Sequence, residues 1–204
     1  MGIKQELERF AGQVGFTLAY LDETTSTNDV ARDPRYDAGA VVIAERQSRG
    51  RGQRGNSWSS SAGANLTFSI VLCPGFLEAA QQFYLSKAVS LAVCDTVESF
   101  GIRPQVKWPN DIYIDGRKVA GILIENDLAG NFLSRSVVGI GINVNQTEFD
   151  PALPNPTSLA VAAGRKLDRA EVFRLFYEKM SFRYGQLQQQ RYAAMDTDYA
   201  ARLY

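Results

Sequence analysis

A tight turn between two strand-like segments constrains the fold of this chain more than any other feature. Residues 111–114 read DIYI and residues 118–125 read KVAGILIE, and both are rich in residues that favour strands. Asp115-Gly116 lies between them, and this dipeptide suits the left-handed backbone of a two-residue hairpin turn. The two segments are therefore predicted to pair as antiparallel neighbours in a sheet.

The other predicted elements follow no strict alternation of strand and helix. Apolar patterns predict strands at residues 16–21, 40–47, 65–72, 106–109 and 134–146. Helices are predicted from the Ser26-Thr27 cap to about residue 32, at 77–100 before Gly101, and from the Asp168 cap to about 190. This order predicts an α+β fold with a mixed, largely antiparallel sheet backed by helices.

Charge and composition exclude several classes of protein. The chain of 204 residues has 22 basic and 22 acidic side chains, so it lacks the overall basic charge of a general nucleic-acid binder. No apolar run approaches the roughly 20 residues of a membrane span, and the charged N-terminus lacks the apolar core of a signal peptide. We expect a cytoplasmic protein in which Cys73 and Cys94 are buried, reduced thiols.

The chain contains no histidine. Ser-His-Asp triads, Cys-His pairs and HExxH zinc sites are therefore excluded together. Any acid–base or electrostatic chemistry must come from lysine, arginine, carboxylates or backbone amides.

Glycine and arginine alternate through residues 49–57, which read RGRGQRGNS. A dinucleotide fingerprint or a P-loop requires a helix directly after its glycines, whereas a strand is predicted here, and Asn56 replaces the P-loop lysine. A kinase lid is excluded because the chain lacks HRD and DFG motifs. The glycines allow close approach of a ligand, and the arginines attract an anion. We expect this loop to be mobile when empty and to close over a phosphate; a solvated basic turn is the alternative.

A second polar group lies in residues 107–126, KWPNDIYIDGRKVAGILIEN. Lys107, Asn110 and Asp111 lie at the end of a predicted strand, although Asn-Asp is also a common turn. Lys118 is either an ordinary edge-strand lysine or a ligand-binding one, and Gly121 beside it leaves room for a ligand.

Two smaller groups of polar residues are also candidates for binding a ligand. Residues 139–146 read GIGINVNQ, and alternation along a strand would place Asn143 and Asn145 on one face. Glycines inside a strand weaken it unless something must approach the backbone. Residues 26–28 read STN, which with Gln47 can hydrogen-bond a ligand or can simply cap a helix.

In order and spacing, these residues resemble the bacterial biotin–protein ligases over roughly residues 20–145. The family pattern has five motifs: STN, a GRGRxG loop followed by tryptophan, KWPND, a KxxGILxE strand, and GIGIN. In this chain they are Ser26-Thr27-Asn28, Gly50–Gly55 with Trp58, Lys107–Asp111, Lys118–Glu125 and Gly139–Asn143.

The resemblance implies the fold of the catalytic core of class II aminoacyl-tRNA synthetases. It also implies two half-reactions, in which biotin and ATP form biotinyl-5′-AMP with Mg²⁺, and the biotinyl group then passes to a lysine of a biotin carboxyl carrier domain, such as that of acetyl-CoA carboxylase. Neither a nucleic acid nor a membrane is an expected partner.

The family also implies roles for individual residues. Lys118 and Arg51 are implied to be catalytic, since they would neutralise the carboxylate and the α-phosphate. The implied biotin-binding residues are Ser26, Thr27, Asn28, Gln47, Gly50, Arg51, Gly52, Gln53, Lys118 and Gly121. The implied ATP- and adenylate-binding residues are Arg51, Arg54, Trp58, Asn110, Asp111, Lys118 and Asn143. Asp111 is the implied ligand of Mg²⁺.

The chain departs from the family pattern in three places. Gln53 stands where many bacterial members have arginine, which is expected to weaken retention of the adenylate. We expect a single catalytic domain over residues 1–204, without the N-terminal helix-turn-helix of repressor-type members and with the C-terminal β domain absent or truncated. The alternative is a lipoate or octanoate ligase or transferase of the same fold, but the RRxxGGGAVxH motif of that family has no counterpart here.

Overall fold

The computed structural model describes residues 2–204, apart from the side chain of Arg54, whose predicted role in adenylate binding lies outside the described residues. In this part of the chain the helices are α1 (Ile3–Val14), α2 (Thr27–Ala31), α3 (Phe83–Glu98), α4 (Leu159–Ala163), α5 (Arg169–Gln188) and α6 (Tyr192–Ala200). The strands are β1 (Leu18–Thr24), β2 (Val41–Gln47), β3 (Leu66–Leu72), β4 (Gln105–Lys107), β5 (Asp111–Ile114), β6 (Arg117–Ala129) and β7 (Phe132–Ile142). The chain divides into two compact units.

The first unit consists of the chain as far as Ala79 together with Leu123–Gly141. Its strands follow the order β1-β2-β3-β7-β6, with β1 parallel to β2 and β2 antiparallel to β3. The apolar run at the start of β2 is buried at every position, as in strands that are covered on both faces. Helix α2 packs on β2 and β3, and this packing brings the STN segment to the sheet.

The second unit consists of Ala80–Ile122 and Ile142–Tyr204, and its strands follow the antiparallel order β6-β5-β4. Asp115 and Gly116 have φ angles of 48° and 73°, which confirms the predicted hairpin turn. Helix α3 packs against α5, where the buried Arg183 donates to the Asp95 carboxylate at 2.7 Å. The mixed, largely antiparallel sheet with helices confirms the predicted fold class.

Several element predictions were wrong in their bounds. Helices α1, α4 and α6 were not predicted, although Leu7 and Ala11, which are buried in α1, have helical spacing. Helix α3 begins at Phe83 rather than 77, because a 3-10 turn at Ala79–Gln81 precedes it. Strand β7 ends at Ile142, so Asn143 and Asn145 lie beyond the strand in which they were predicted to alternate.

The predicted burial of the cysteines is correct for only one of them. Cys94 lies in α3 and is buried, and this burial raises the pKa of its thiol. Cys73 follows the end of β3 and is exposed, so the prediction for Cys73 was wrong. Among the residues described, no helix combines the length and the apolar character needed to cross a bilayer.

Candidate functional site

The STN segment forms a buried polar cluster in the first unit. Thr27 and Asn28 are only 2% and 3% exposed, although both are polar. The backbone N–H and the hydroxyl of Thr27 donate to Gln47 Oε1 at 2.7 and 3.1 Å. Ser26 occupies the N-cap position of α2, but its side chain makes no capping hydrogen bond. The cluster is thus more than a helix cap, because it joins α2 to the end of β2.

Asn28 is held from both ends of its amide group. Ser69 Oγ of β3 donates to Asn28 Oδ1 at 2.6 Å, and Asn28 Nδ2 donates to Glu125 Oε2 at 2.8 Å. A Cβ atom at Gly139 would lie 2.2 Å from Asn28 Oδ1, so only glycine fits there beside the asparagine. The predicted close approach to the glycine backbone therefore exists, but the approaching group is a side chain of the same chain.

The glycine–arginine loop folds back on itself. Gly52 N–H donates to the Asn56 carbonyl at 2.7 Å, and Trp58 N–H donates to the Gly50 carbonyl at 2.9 Å. A Cβ atom at Gly50 would lie 2.2 Å from the Trp58 carbonyl oxygen, so this glycine permits the return of the loop. Gln53 begins the 3-10 turn at the tip of the loop. The mobility of the empty loop stays a prediction.

Trp58 packs against the backbone of β7. A Cβ atom at Gly141 would lie 2.2 Å from Trp58 Cε2, so the indole occupies the space that any side chain at 141 would need. Glycine is therefore required at position 141 for the same reason as at position 139, because a side chain from elsewhere in the chain fills the space. The ring is half-buried, and the predicted stacking on adenine would use the part that remains exposed.

Arg51 is paired with two carboxylates. Its Nη1 and Nη2 donate to Glu125 Oε1 and Oε2 at 3.0 and 2.8 Å, and Nη2 also lies 2.8 Å from Asp29 Oδ1. The hydrogen bond with Glu125 raises the pKa of Arg51. Burial would raise the pKa of Glu125, but hydrogen bonds from Arg51 and Asn28, with the charges of Arg51 and Arg32, outweigh it and hold that pKa below its ordinary value. Arg51 thus has an internal counter-charge that the sequence alone did not reveal.

In the second unit, Lys118 and Asp111 form an ion pair. Lys118 Nζ lies 2.8 Å from Asp111 Oδ1 across the β5–β6 hairpin. Gly121 stands directly opposite Asp111 in the strand register, so no side chain at 121 covers this carboxylate. The Lys118 N–H donates to the Asn155 carbonyl, and the Thr157 N–H donates to the Lys118 carbonyl. Residues 155–157 therefore flank this end of β6, and Lys118 does not lie on an open edge.

The two asparagines predicted to bind nucleotide are both engaged with the backbone. Asn110 Nδ2 donates to the Ile122 carbonyl at 2.8 Å, and the Ile122 N–H donates back to the Asn110 carbonyl. Asn143 is buried, and its Nδ2 donates to the Thr157 carbonyl at 3.0 Å. The Asn110 side chain thus bonds to β6, the strand that carries Lys118, and the Asn143 side chain bonds to the segment 155–157 that flanks it; a role of either in binding nucleotide remains a prediction.

Comparison with known proteins identifies the family. The family model described as Biotin/lipoate A/B protein ligase family matches residues 18–143, which contain all the motifs above. This chain belongs to that family.

Relatives within the biotin/lipoate ligase family extend over most of the chain. The bifunctional ligase/repressor BirA of Bacillus subtilis is 37% identical over 188 residues, which cover 87% of this chain and 56% of that protein. The biotin–[acetyl-CoA-carboxylase] ligase of Paracoccus denitrificans is 34% identical over 193 residues, or 89% of this chain and 79% of that one. The chain thus spans little more than half the length of the repressor-type relatives.

A solved structure confirms the predicted class II synthetase-like fold. The biotin protein ligase of Aquifex aeolicus, in complex with biotin and ATP, superposes with a TM-score of 0.82 at 30% identity. The match covers 92% of this chain and 78% of that one.

Sequence reasoning missed residues that hold the candidate site together. Ser69 and Asp29 lie in no motif, and Glu125 was noted only as the end of one. The signal for Ser69 was weak, a serine between the apolar residues Phe68 and Ile70, and the sequence carried no signal for Asp29 and Glu125, which lie far from the loop along the chain. A buried polar residue in an apolar strand requires a partner, which makes Ser69 the most detectable of the three.

Proposed function

We propose that this chain is the catalytic region of an ATP-dependent biotin–protein ligase. In the first step a biotin carboxylate oxygen attacks the α-phosphorus of ATP, the bond to the β-phosphate breaks, and pyrophosphate leaves. In the second step the amine of a lysine attacks the acyl carbon of biotinyl-5′-AMP, AMP leaves, and the lysine loses a proton. The acceptor is a lysine of a biotin carboxyl carrier domain, and the setting is the cytoplasm.

One observation carries this proposal: the buried polar cluster of α2 lies within the family match, joined to the glycine–arginine loop. Gln47 directs its Oε1 to Thr27, and its Nε2 lies toward Gly50, 2.7 Å from where a Cβ atom would stand. A fixed arrangement of donors and acceptors suits a ureido ring, which has two N–H donors and a carbonyl acceptor. The name of the Paracoccus denitrificans relative, at 34% identity, and the biotin and ATP bound in the Aquifex aeolicus structure, at 30% identity, support biotin as the substrate.

In this proposal Ser26, Thr27, Asn28 and Gln47 recognise the ureido ring, with the backbone of the loop. Buried hydrogen-bonding groups give strong selectivity, because an analogue that lacks the matching groups leaves them without partners. Gly50 and Gly52 let the loop fold back on itself, and in this proposal the folded loop presents its backbone to the ring.

Lys118 supplies the positive charge for adenylation. A carboxylate and a polyphosphate repel each other, and a preorganised cation placed where charge develops lowers that barrier without proton transfer. A chain without histidine can perform this chemistry, because neither step needs an imidazole. Arg51 stays a predicted catalytic residue, although its guanidinium already has two carboxylate partners.

Mg²⁺ enters this proposal as part of its substrate, Mg·ATP. Magnesium is commonly held by one or two carboxylates together with substrate phosphates. Asp111 offers one carboxylate, with Gly121 opposite it, and this donor chemistry fits an ion that is carried by ATP.

The first prediction tests the proposed function directly. The protein should catalyse biotin-dependent exchange of labelled pyrophosphate into ATP, because formation of the adenylate is reversible. The measurement compares biotin, lipoate and octanoate at equal concentration, with a sample lacking any acid as background. Exchange that responds to lipoate or octanoate but not to biotin would assign the chain to the lipoate branch of the family.

A further inference from the structure

Glu125 accepts hydrogen bonds from groups in two separate parts of the first unit. Its Oε2 accepts from Asn28 of α2 and from Arg51 of the loop, both at 2.8 Å. Its Oε1 accepts from Arg51 at 3.0 Å and from Arg32, which follows α2, at 3.2 Å. One carboxylate therefore ties the glycine–arginine loop to the helix that carries the STN segment.

The pair formed by Arg51 and Glu125 has the geometry of a positioning contact. Two parallel N–H···O bonds fix the planar guanidinium in orientation as well as in distance. The Glu125 side chain is only 18% exposed, against 49% for that of Asp29, the other carboxylate that Arg51 contacts. The contact with Glu125 is thus less screened by solvent and is the stronger restraint on the loop.

Arg51 lies between two loop contacts, the return bonds of Gly50 with Trp58 and of Gly52 with Asn56. Anchoring its side chain holds the backbone on both sides, and this backbone is what the proposed function presents to biotin. Asn28 cannot shift to compensate, because Ser69 holds its Oδ1 and the Gly139 backbone lies against it.

We propose that Glu125 is a positioning residue, which couples the conformation of the glycine–arginine loop to the orientation of Asn28 through Arg51. This inference rests on the proposed function for its ligand. It differs from the predicted role of Arg51, in which the guanidinium neutralises the reacting anions. Here the guanidinium binds Glu125 of the same chain, and the backbone of the loop contacts the ligand.

The test uses Glu125→Gln, which keeps the size of the side chain and removes its charge. In the ligand-free protein, hydrogen exchange of the Gly52 and Trp58 amides should become about tenfold faster, the scale of losing one hydrogen bond between charged groups. In pyrophosphate exchange, KM for biotin should rise about tenfold and kcat should stay within about threefold, because binding geometry is lost and not transition-state charge.

Asp29→Asn is the matched control. It removes a carboxylate that also contacts Arg51 but is not bonded to Asn28, so both measurements should change by less than about threefold. Equal effects of the two variants would mean that only the charge near Arg51 matters, and would overturn the proposed coupling. Unchanged amide exchange in Glu125→Gln would overturn it as well.

Arg51→Lys decides between the two roles of Arg51, including the case in which Glu125→Gln does not fold. Lysine keeps the positive charge but cannot make the two parallel bonds. A positioning role predicts faster loop exchange and a raised KM for biotin, whereas unchanged loop exchange with a lowered kcat would refute it. Amide exchange is measured without biotin or ATP, so it tests the coupling even if the wild-type protein shows no biotin-dependent activity.

Discussion

Replacing Lys118 by methionine should reduce the rate of adenylation by about two orders of magnitude or more, the usual effect of removing one charged contact to a transition state. The fold should survive, because the hydrogen bonds of Lys118 to residues 155–157 come from its backbone. Steady-state pyrophosphate exchange measures the loss, and circular dichroism checks that the variant is folded.

Two further variants separate the possible causes of that loss. Arg117→Met removes a positive charge from the neighbouring position of β6, where side chains point to the opposite face, and should stay within about threefold of wild type. Lys118→Met combined with Asp111→Asn removes the carboxylate that Lys118 would otherwise neutralise. Recovery in the double variant, or wild-type kinetics in folded Lys118→Met, would mean that Lys118 does not act on the substrates.

Gly139→Ala should destabilise the protein and weaken biotin binding together. The added methyl group would lie 2.2 Å from Asn28 Oδ1, and both ends of that amide are already hydrogen-bonded in a buried setting. Overpacking of this kind costs about 1–3 kcal/mol. In a chain of this size the melting temperature should fall by roughly 2–4 °C per kcal/mol. Displacement of Asn28 should raise the Kd for biotin by about tenfold or more.

Differential scanning calorimetry and calorimetric titration with biotin measure the two effects. Gly185→Ala is the control, because the same added methyl group on α5 meets nothing within 4 Å, and alanine is the better helix former. Its melting temperature should stay equal or rise slightly. If Gly139→Ala bound biotin like the wild type while being destabilised, Asn28 would have a structural role only.

Features that depend on neighbouring residues could be predicted well. The Asp115-Gly116 hairpin, strands β2 and β3, and helix α5 after its Asp168 cap are all present as expected. Each depends on backbone preferences and on side-chain periodicity within a few residues, which the sequence displays directly. Helix α1 was missed although its signal is also local, because its apolar face consists of only a few residues among many charged ones.

The ordered motifs by themselves determined the family, because five short patterns in the same order rarely coincide by chance. Only the tertiary structure shows why several motif positions require the residue they have. Gly139 and Gly141 leave room for Asn28 and Trp58, and Glu125 meets Arg51 and Asn28 from positions 74 and 97 residues away in the chain. No local preference encodes such pairs, since the free energy that brings them together comes from burying apolar surface, such as that between α2 and strands β2 and β3. Only the folded chain brings these charges and contacts within reach.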